Sequence, residues 1–94
     1  MTAQASAKAV TGTGAVQAGP CTLRGLSLRD TSGSGNTVKI YDNASAASGT
    51  VLYAYALGTS GATTPPVTID GGLRAVNGLY LSTTGSVEGS VWIA

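Results

Sequence analysis

Glycine sets the terms for this chain. There are 14 glycines in 94 residues, and Gly, Ser-Gly and Asn-Gly steps break the sequence about every 8 to 12 residues, the rhythm of short strands in a sandwich or barrel. Between the breaks no segment holds apolar residues at helical spacing over three turns. A helix interior would lose about 1 kcal/mol for each glycine it had to carry. The chain therefore reads as all-β.

The strands follow from the alternation between these breaks. A first strand is expected at Thr11–Ala18, closed by Gly19-Pro20. CTLRGLSLRD (Cys21–Asp30) is the next, with Leu23 out of phase with Leu26 and Leu28 by one residue. A bulge at Gly25 puts all three leucines on one face, a common use of a strand glycine. Thr37–Asp42 alternates cleanly with Val38 and Ile40 inward, and Thr50–Leu57 follows the NASAASG connection. In Thr50–Leu57, Val51, Tyr53, Tyr55 and Leu57 lie on one side and Leu52, Ala54 and Ala56 on the other. A strand apolar on both faces is buried on both, and in so small a domain another molecule is the expected second cover. Val67–Asp70, Leu73–Val76, Leu79–Thr83 and Val87–Ile93 complete the set, separated by Gly71-Gly72, by the tight-turn pair Asn77-Gly78 and by a Thr-Gly turn. The economical architecture is a single antiparallel β-sandwich or jelly roll of about eight strands over residues 11–94, preceded by a flexible N-terminal arm at residues 1–10. Val38, Ile40, Leu79, Leu81, Val87 and Val91 are its expected core.

Charge is scarce. Charged residues are 10% of the chain and the net charge is +1, against roughly 25% charged residues in an ordinary domain. Free monomers rely on scattered Lys and Glu to stay apart, yet only Lys8, Lys39 and Glu88 serve here. Interface centres are where proteins drop such residues, so the composition suits a chain that lives inside an assembly. Arg24, Arg29, Arg74 and the two lysines form no basic stripe for nucleic acid. No run approaches the roughly 20 apolar residues of a membrane span. MTAQASAKAV lacks the apolar centre of a signal peptide, so no secretory route is expected. The single Cys21 excludes an internal disulfide framework and reads as a small buried hydrophobe.

Catalytic chemistry has little to stand on. The chain has no histidine, which removes the commonest general base and metal ligand. Asp30, Asp42, Asp70 and Glu88 are scattered over strand ends and outer faces, where turn chemistry is the expected role rather than a glycosidase pair. Gly12-x-Gly14-x-x-Gln17 misses the third glycine of a phosphate loop and no helix follows it. Asn43-Ala44-Ser45 has the form of a glycosylation acceptor, with no secretory signal to make it one. The expectation is a protein that is not an enzyme, with no cofactor and no metal.

The order of elements resembles a known group. CTLRGLSL, a Gly-Ser loop, the KIYDNASAASGTVL hairpin, a Gly-Thr-Pro loop and the GGLRAVNGLYLSTTGS hairpin together look like small β-sandwich structural proteins of tailed bacteriophages. The likeness covers nearly the whole chain from Thr11. It implies a capsid decoration (cement) protein on the outer capsid surface of the virion, a homotrimer bound to the major capsid protein across capsomer junctions, with no active site. The same likeness leaves two alternatives, a tail or head-fibre component and a carbohydrate-binding module. The aromatic side chains Tyr41, Tyr53, Tyr55, Tyr80 and Trp92 are the candidate interface residues, or the rings of a sugar groove; tyrosines also cover sheet faces and subunit seams.

The last strand, VEGSVWI, poses the sharpest question. A period of two places Val87, Gly89, Val91 and Ile93 on one face and Glu88, Ser90 and Trp92 on the other. Outward, the only tryptophan is an interface anchor whose full burial is worth about 4–6 kcal/mol as an upper bound. A bulge at Gly89 would reverse the alternation and turn it into the core. Both remain open at the level of sequence.

Overall fold

The computed structural model describes residues 6–33, 35–57 and 67–94. The expected Gly58–Pro66 loop, Ser34 and the first half of the expected arm lie outside them. Among the described residues there are eight strands and no helix: β1 Ser6–Val10, β2 Gly14–Gln17, β3 Cys21–Asp30, β4 Asn36–Tyr41, β5 Val51–Leu57, β6 Val67–Ala75, β7 Leu79–Thr83 and β8 Val87–Ile93. They form two four-stranded sheets, ordered β1-β8-β3-β6 and β2-β7-β4-β5. Every pairing is antiparallel. First pairs with last, second with seventh, third with sixth and fourth with fifth, as in a long hairpin rolled over itself. That is the strand order of a jelly roll, a two-sheet solution to the problem of exposed edges.

The core follows from the alternation. Leu23, Leu26, Leu28, Val87, Val91 and Ile93 from one sheet meet Val38, Ile40, Leu57, Leu79 and Leu81 from the other, all buried in one cluster. The pairing of β3 shifts between Leu23 and Gly25. This bulge brings all three leucines onto the inner face, as the sequence phase requires. Cys21 joins the same cluster, and burial pushes its thiol up from its ordinary value, which leaves it protonated and unreactive.

Three expectations need correction. Ser6–Val10 lie within the expected arm, yet pair along β8 from Ser6↔Ile93 to Val10↔Gly89, and Val10 packs against the core. Gly71-Gly72 does not separate two strands. Both flanks of β6 pair with β3, and residues 69–72 stand opposite Arg24 alone, between Thr68↔Gly25 and Leu73↔Leu23. In β5 the alternation breaks at its start, because the register slips between Ile40↔Tyr53 and Tyr41↔Val51. Leu52 thereby packs against the core, while Val51 is 45% exposed.

One glycine is dictated by a neighbouring strand. Gly89, at φ +145°, lies against β3, and a Cβ there would run into the Ser27 carbonyl. Gly89→Ala is expected to destabilise the fold severely, because backbone and not a flexible side chain is in the way. In the core, Ile40→Ala or Leu81→Ala is expected to cost about 2–5 kcal/mol, a large share of a typical total of about 5–15 kcal/mol. Denaturant titration of the three variants measures both effects.

Candidate functional site

The two outer faces carry most of what the sequence singled out. On β8 the alternation holds without interruption: Val87, Val91 and Ile93 are buried, and Gly89 pairs in register with Leu28. Trp92 therefore stands on the outer face and is half-buried there. The inward-turning bulge at Gly89 is not what the chain does. The Trp92 Nε1 donates to the Ser90 Oγ at 2.9 Å. Across the strands Trp92 faces Ala7 on β1 and Gly25 on β3, and Gly25 in turn faces Thr68 on β6. In the next row Ser90 lies between Ala9 and Ser27. One large ring thus sits among small uncharged neighbours, and the glycine beside it leaves room for an aromatic to cover the strand.

The other face is different in kind. Ala15 pairs with Tyr80, Tyr80 with Tyr41, and Tyr41 with Val51, a row that crosses all four strands on the outer side. Beside it Lys39 lies between Ser82 and Ala54. Tyr53 and Tyr55 do not join this row. They pack against the core, ring to ring in an edge-on arrangement with centroids 5.4 Å apart. The five aromatic candidates are thus divided among three places: Trp92 on one outer face, Tyr41 and Tyr80 on the other, and Tyr53 and Tyr55 on the inner side of β5.

The carboxylates hold the two ends together. Asp30 ends β3 in the turn role that the sequence suggested, and it is fully buried there. Its Oδ1 accepts from the Ser32 N–H at 3.1 Å, the Ser32 hydroxyl at 2.6 Å and the Asn36 amide; its Oδ2 accepts from the Gly33 and Gly35 N–H groups, each at 3.2 Å. The Asn36 amide also donates to the Ser86 carbonyl at 3.1 Å, and its Oδ1 accepts from the Gly85 N–H. The Ser32 hydroxyl first, then the other donors, hold the Asp30 carboxyl down at about 2, against an ordinary 3.8. At the opposite end Asp42 accepts from the Asn77 N–H at 2.8 Å, and this bond holds its carboxyl below its usual value. Glu88 forms an ion pair with Arg29 on the outer face at 2.9 Å, with both side chains substantially exposed.

Among the described side chains no two carboxylates meet as an acid–base pair; the side chain of Asp70 lies outside them. Asp30, at the end of β3, accepts from Asn36 at the start of β4, and Asp42 follows the end of β4, so the length of that strand, about 20 Å, separates them. Asn43 closes the loop after β4 by accepting from the Ser45 and Ala46 N–H groups at 2.9 and 3.0 Å, which gives the glycosylation-like triplet a structural task. Compared with family models, curated proteins and solved structures, the chain has no match in any of the three.

Sequence reasoning missed the Asp30–Asn36 knot. Its signal was present: an Asp six residues before an Asn, across a Ser/Gly loop, is a set of Asx-turn residues at a strand junction. The knot predicts an acid response. Because the folded state holds the Asp30 carboxyl below its unfolded value, its stabilisation is complete above the unfolded value and is lost as pH falls through about 2. Asp42 acts in the same direction. Asp30→Asn is expected to be less stable than the parent at pH 7, and the gap is expected to narrow as pH approaches 2. Thermal unfolding from pH 7 to pH 2 checks both.

Proposed function

We propose that the chain is a structural virion protein, a capsid decoration (cement) protein that assembles with itself, as a trimer, and binds the head surface at capsomer junctions. The observation that carries the reading is Trp92: a half-buried indole on an outer sheet face, flanked by Ala7, Gly25, Ser90 and Ser27. Large aromatic rings in small, uncharged surroundings are interface anchors. Two further points support it. The chain carries five basic and four acidic residues, too few for the charged coat of a freely diffusing domain. The jelly-roll order recurs in viral capsid domains, a fold-level analogy that adds weight without fixing a role. The resemblance of the two hairpins to phage structural proteins supports a virion role, with a tail or head-fibre component as the alternative station.

A second reading rests on a different observation. Tyr41 and Tyr80 are cross-strand neighbours on the outer face of the other sheet, and jelly rolls also serve as lectin domains. A glycan array with isolated protein tests whether that pair forms a sugar platform. Binding that is lost in Tyr80→Ala and kept in Trp92→Ala would favour the carbohydrate reading.

Imaging of particles that contain this chain is the decisive test. Density over capsomer junctions is expected; density on a tail or fibre moves the protein to that station, and absence from the particle ends the virion reading. Trp92→Ala is expected to leave the subunit folded and to weaken assembly. The part of the Trp92 surface still exposed, at most about a third of roughly 250 Å², is worth up to about 2 kcal/mol at about 25 cal/mol per Å². A variant that unfolds as a monomer would place Trp92 among the residues that hold the fold. Binding to the particle is expected to survive 1 M salt, where the screening length falls to about 3 Å, because apolar burial and not charge carries it.

A further inference from the structure

Each sheet ends in two edge strands, and an edge strand offers backbone groups to any strand that approaches it. Three of the four edges are guarded. On β1 the side chain of Lys8 shares the inward face of Val91 yet is exposed, an inward-pointing charge of the kind that blocks strand addition. β2 has only four residues and a register break between Ala15 and Gln17. β6 swings out at residues 69–72 and carries the exposed Arg74.

β5 has only one of these devices, the register slip beside Leu52 at its start. Val51–Leu57 reads VLYAYAL, seven residues without charge, proline or glycine. Its pairing with β4 is regular from Tyr53 to Leu57. It terminates its sheet, with β4 on one side and no strand of the described residues on the other. Ala54 and Ala56 are exposed on its outer face, so no bulky group stands in the way of a neighbouring backbone.

We propose that β5 pairs antiparallel with β5 of a second copy, about a two-fold axis that sets Ala54 opposite its own counterpart and joins two four-stranded sheets into one of eight strands. A second copy is the occupant that the edge fits. An identical strand brings no charge to an uncharged edge, whereas a charged edge would set like charges opposite one another. Among the described residues, Lys39 faces Ala54 from β4. In the paired dimer the two Lys39 groups stand three strand spacings apart, about 14 Å, beyond the screening length of about 8 Å in physiological salt. They do not oppose the contact. The self-contact is isologous, and so is distinct from whatever closes a trimer. It does not rest on the virion role.

The test is sedimentation of the full chain with charge placed at Ala54. A contact along one strand falls below the standard interface size of about 1,200–2,000 Å², so association is to be measured up to about 1 mM protein. Ala54→Glu faces Lys39 on its own sheet, a favourable cross-strand pair, and faces a second Glu in the dimer. It is expected to keep the fold by dichroism and to weaken association by about tenfold or more. The double variant Lys39→Ala with Ala54→Lys moves one positive charge onto the edge at constant net charge; mixed with Ala54→Glu, it is expected to restore pairing. Hydrogen exchange of the parent is expected to show β5 amides gaining protection as concentration rises. Any of four results overturns the proposal: a parent that stays monomeric throughout, association unchanged by Ala54→Glu, β5 protection independent of concentration, or folded charge variants whose mixture does not pair. Loss of assembly in Trp92→Ala with the β5 contact intact would separate this contact from the Trp92 seam.

Discussion

Everything at one end of this sandwich hangs on the Asp30 carboxylate. The β3–β4 connection carries the chain from one sheet to the other, and the β7–β8 turn carries it back. Asp30 gathers donors from the first, and Asn36, which donates to Asp30, reaches the Gly85 N–H and the Ser86 carbonyl in the second. The Val87 N–H donates to the Thr11 carbonyl at 2.9 Å, which draws the β1–β2 corner to the same place. A buried carboxylate is costly unless it is fully hydrogen-bonded. Here five donors meet it, so the price of burial is offset, and three crossings between the sheets are fixed at once. Asp42 does a smaller version of this at the far end, where it ties the β4–β5 connection to Asn77.

This use of charge explains the plainness of the faces. Asp30 and Asp42 are committed to the ends, and Glu88 to Arg29, so the outer surfaces are left to Ala, Ser, Thr, Gly and a few rings. The core is lean as well, with aliphatic side chains and no Phe, and it is closed by corners that do not depend on side-chain bulk. A small domain with a modest apolar core gains more from fixed corners than a large one would, since each crossing it secures removes chain entropy from a short sequence.

Much of this was legible in the residues. The glycine rhythm gave the all-β class, although its eight strands missed β1 and divided β6 in two, and the phase slip at Gly25 gave the bulge that gathers Leu23, Leu26 and Leu28. The alternation in VEGSVWI gave the outward Trp92. What failed to read out was set by partners distant in sequence. Ser6–Val10 look unstructured because only Val10 is a large apolar residue, and they become a strand because β8 offers an edge. Gly71-Gly72 is turn chemistry in isolation, yet β3 pairs with both of its flanks. Leu52 and Val51 exchange roles because of a register slip against β4. The burial of Asp30 did not read out because its partner Asn36 meets Gly85 and Ser86 only when both sheets are in place.

Low charge also shifts the burden of discrimination. An ordinary domain keeps partners at a distance with mixed charge over its whole surface. This one has the Arg29–Glu88 pair with the exposed Lys8 and Arg74 on one sheet, and Lys39 on the other. Selectivity must then come from shape, hydrogen bonding and the treatment of edges. Lys8, the short β2 and the excursion in β6 are devices of that sort, each of them local and each on a strand that ends a sheet. Their presence on three edges sets the fourth apart: past the slip beside Leu52, β5 carries no charge from Tyr53 to Leu57, and no strand of the described residues lies beyond it.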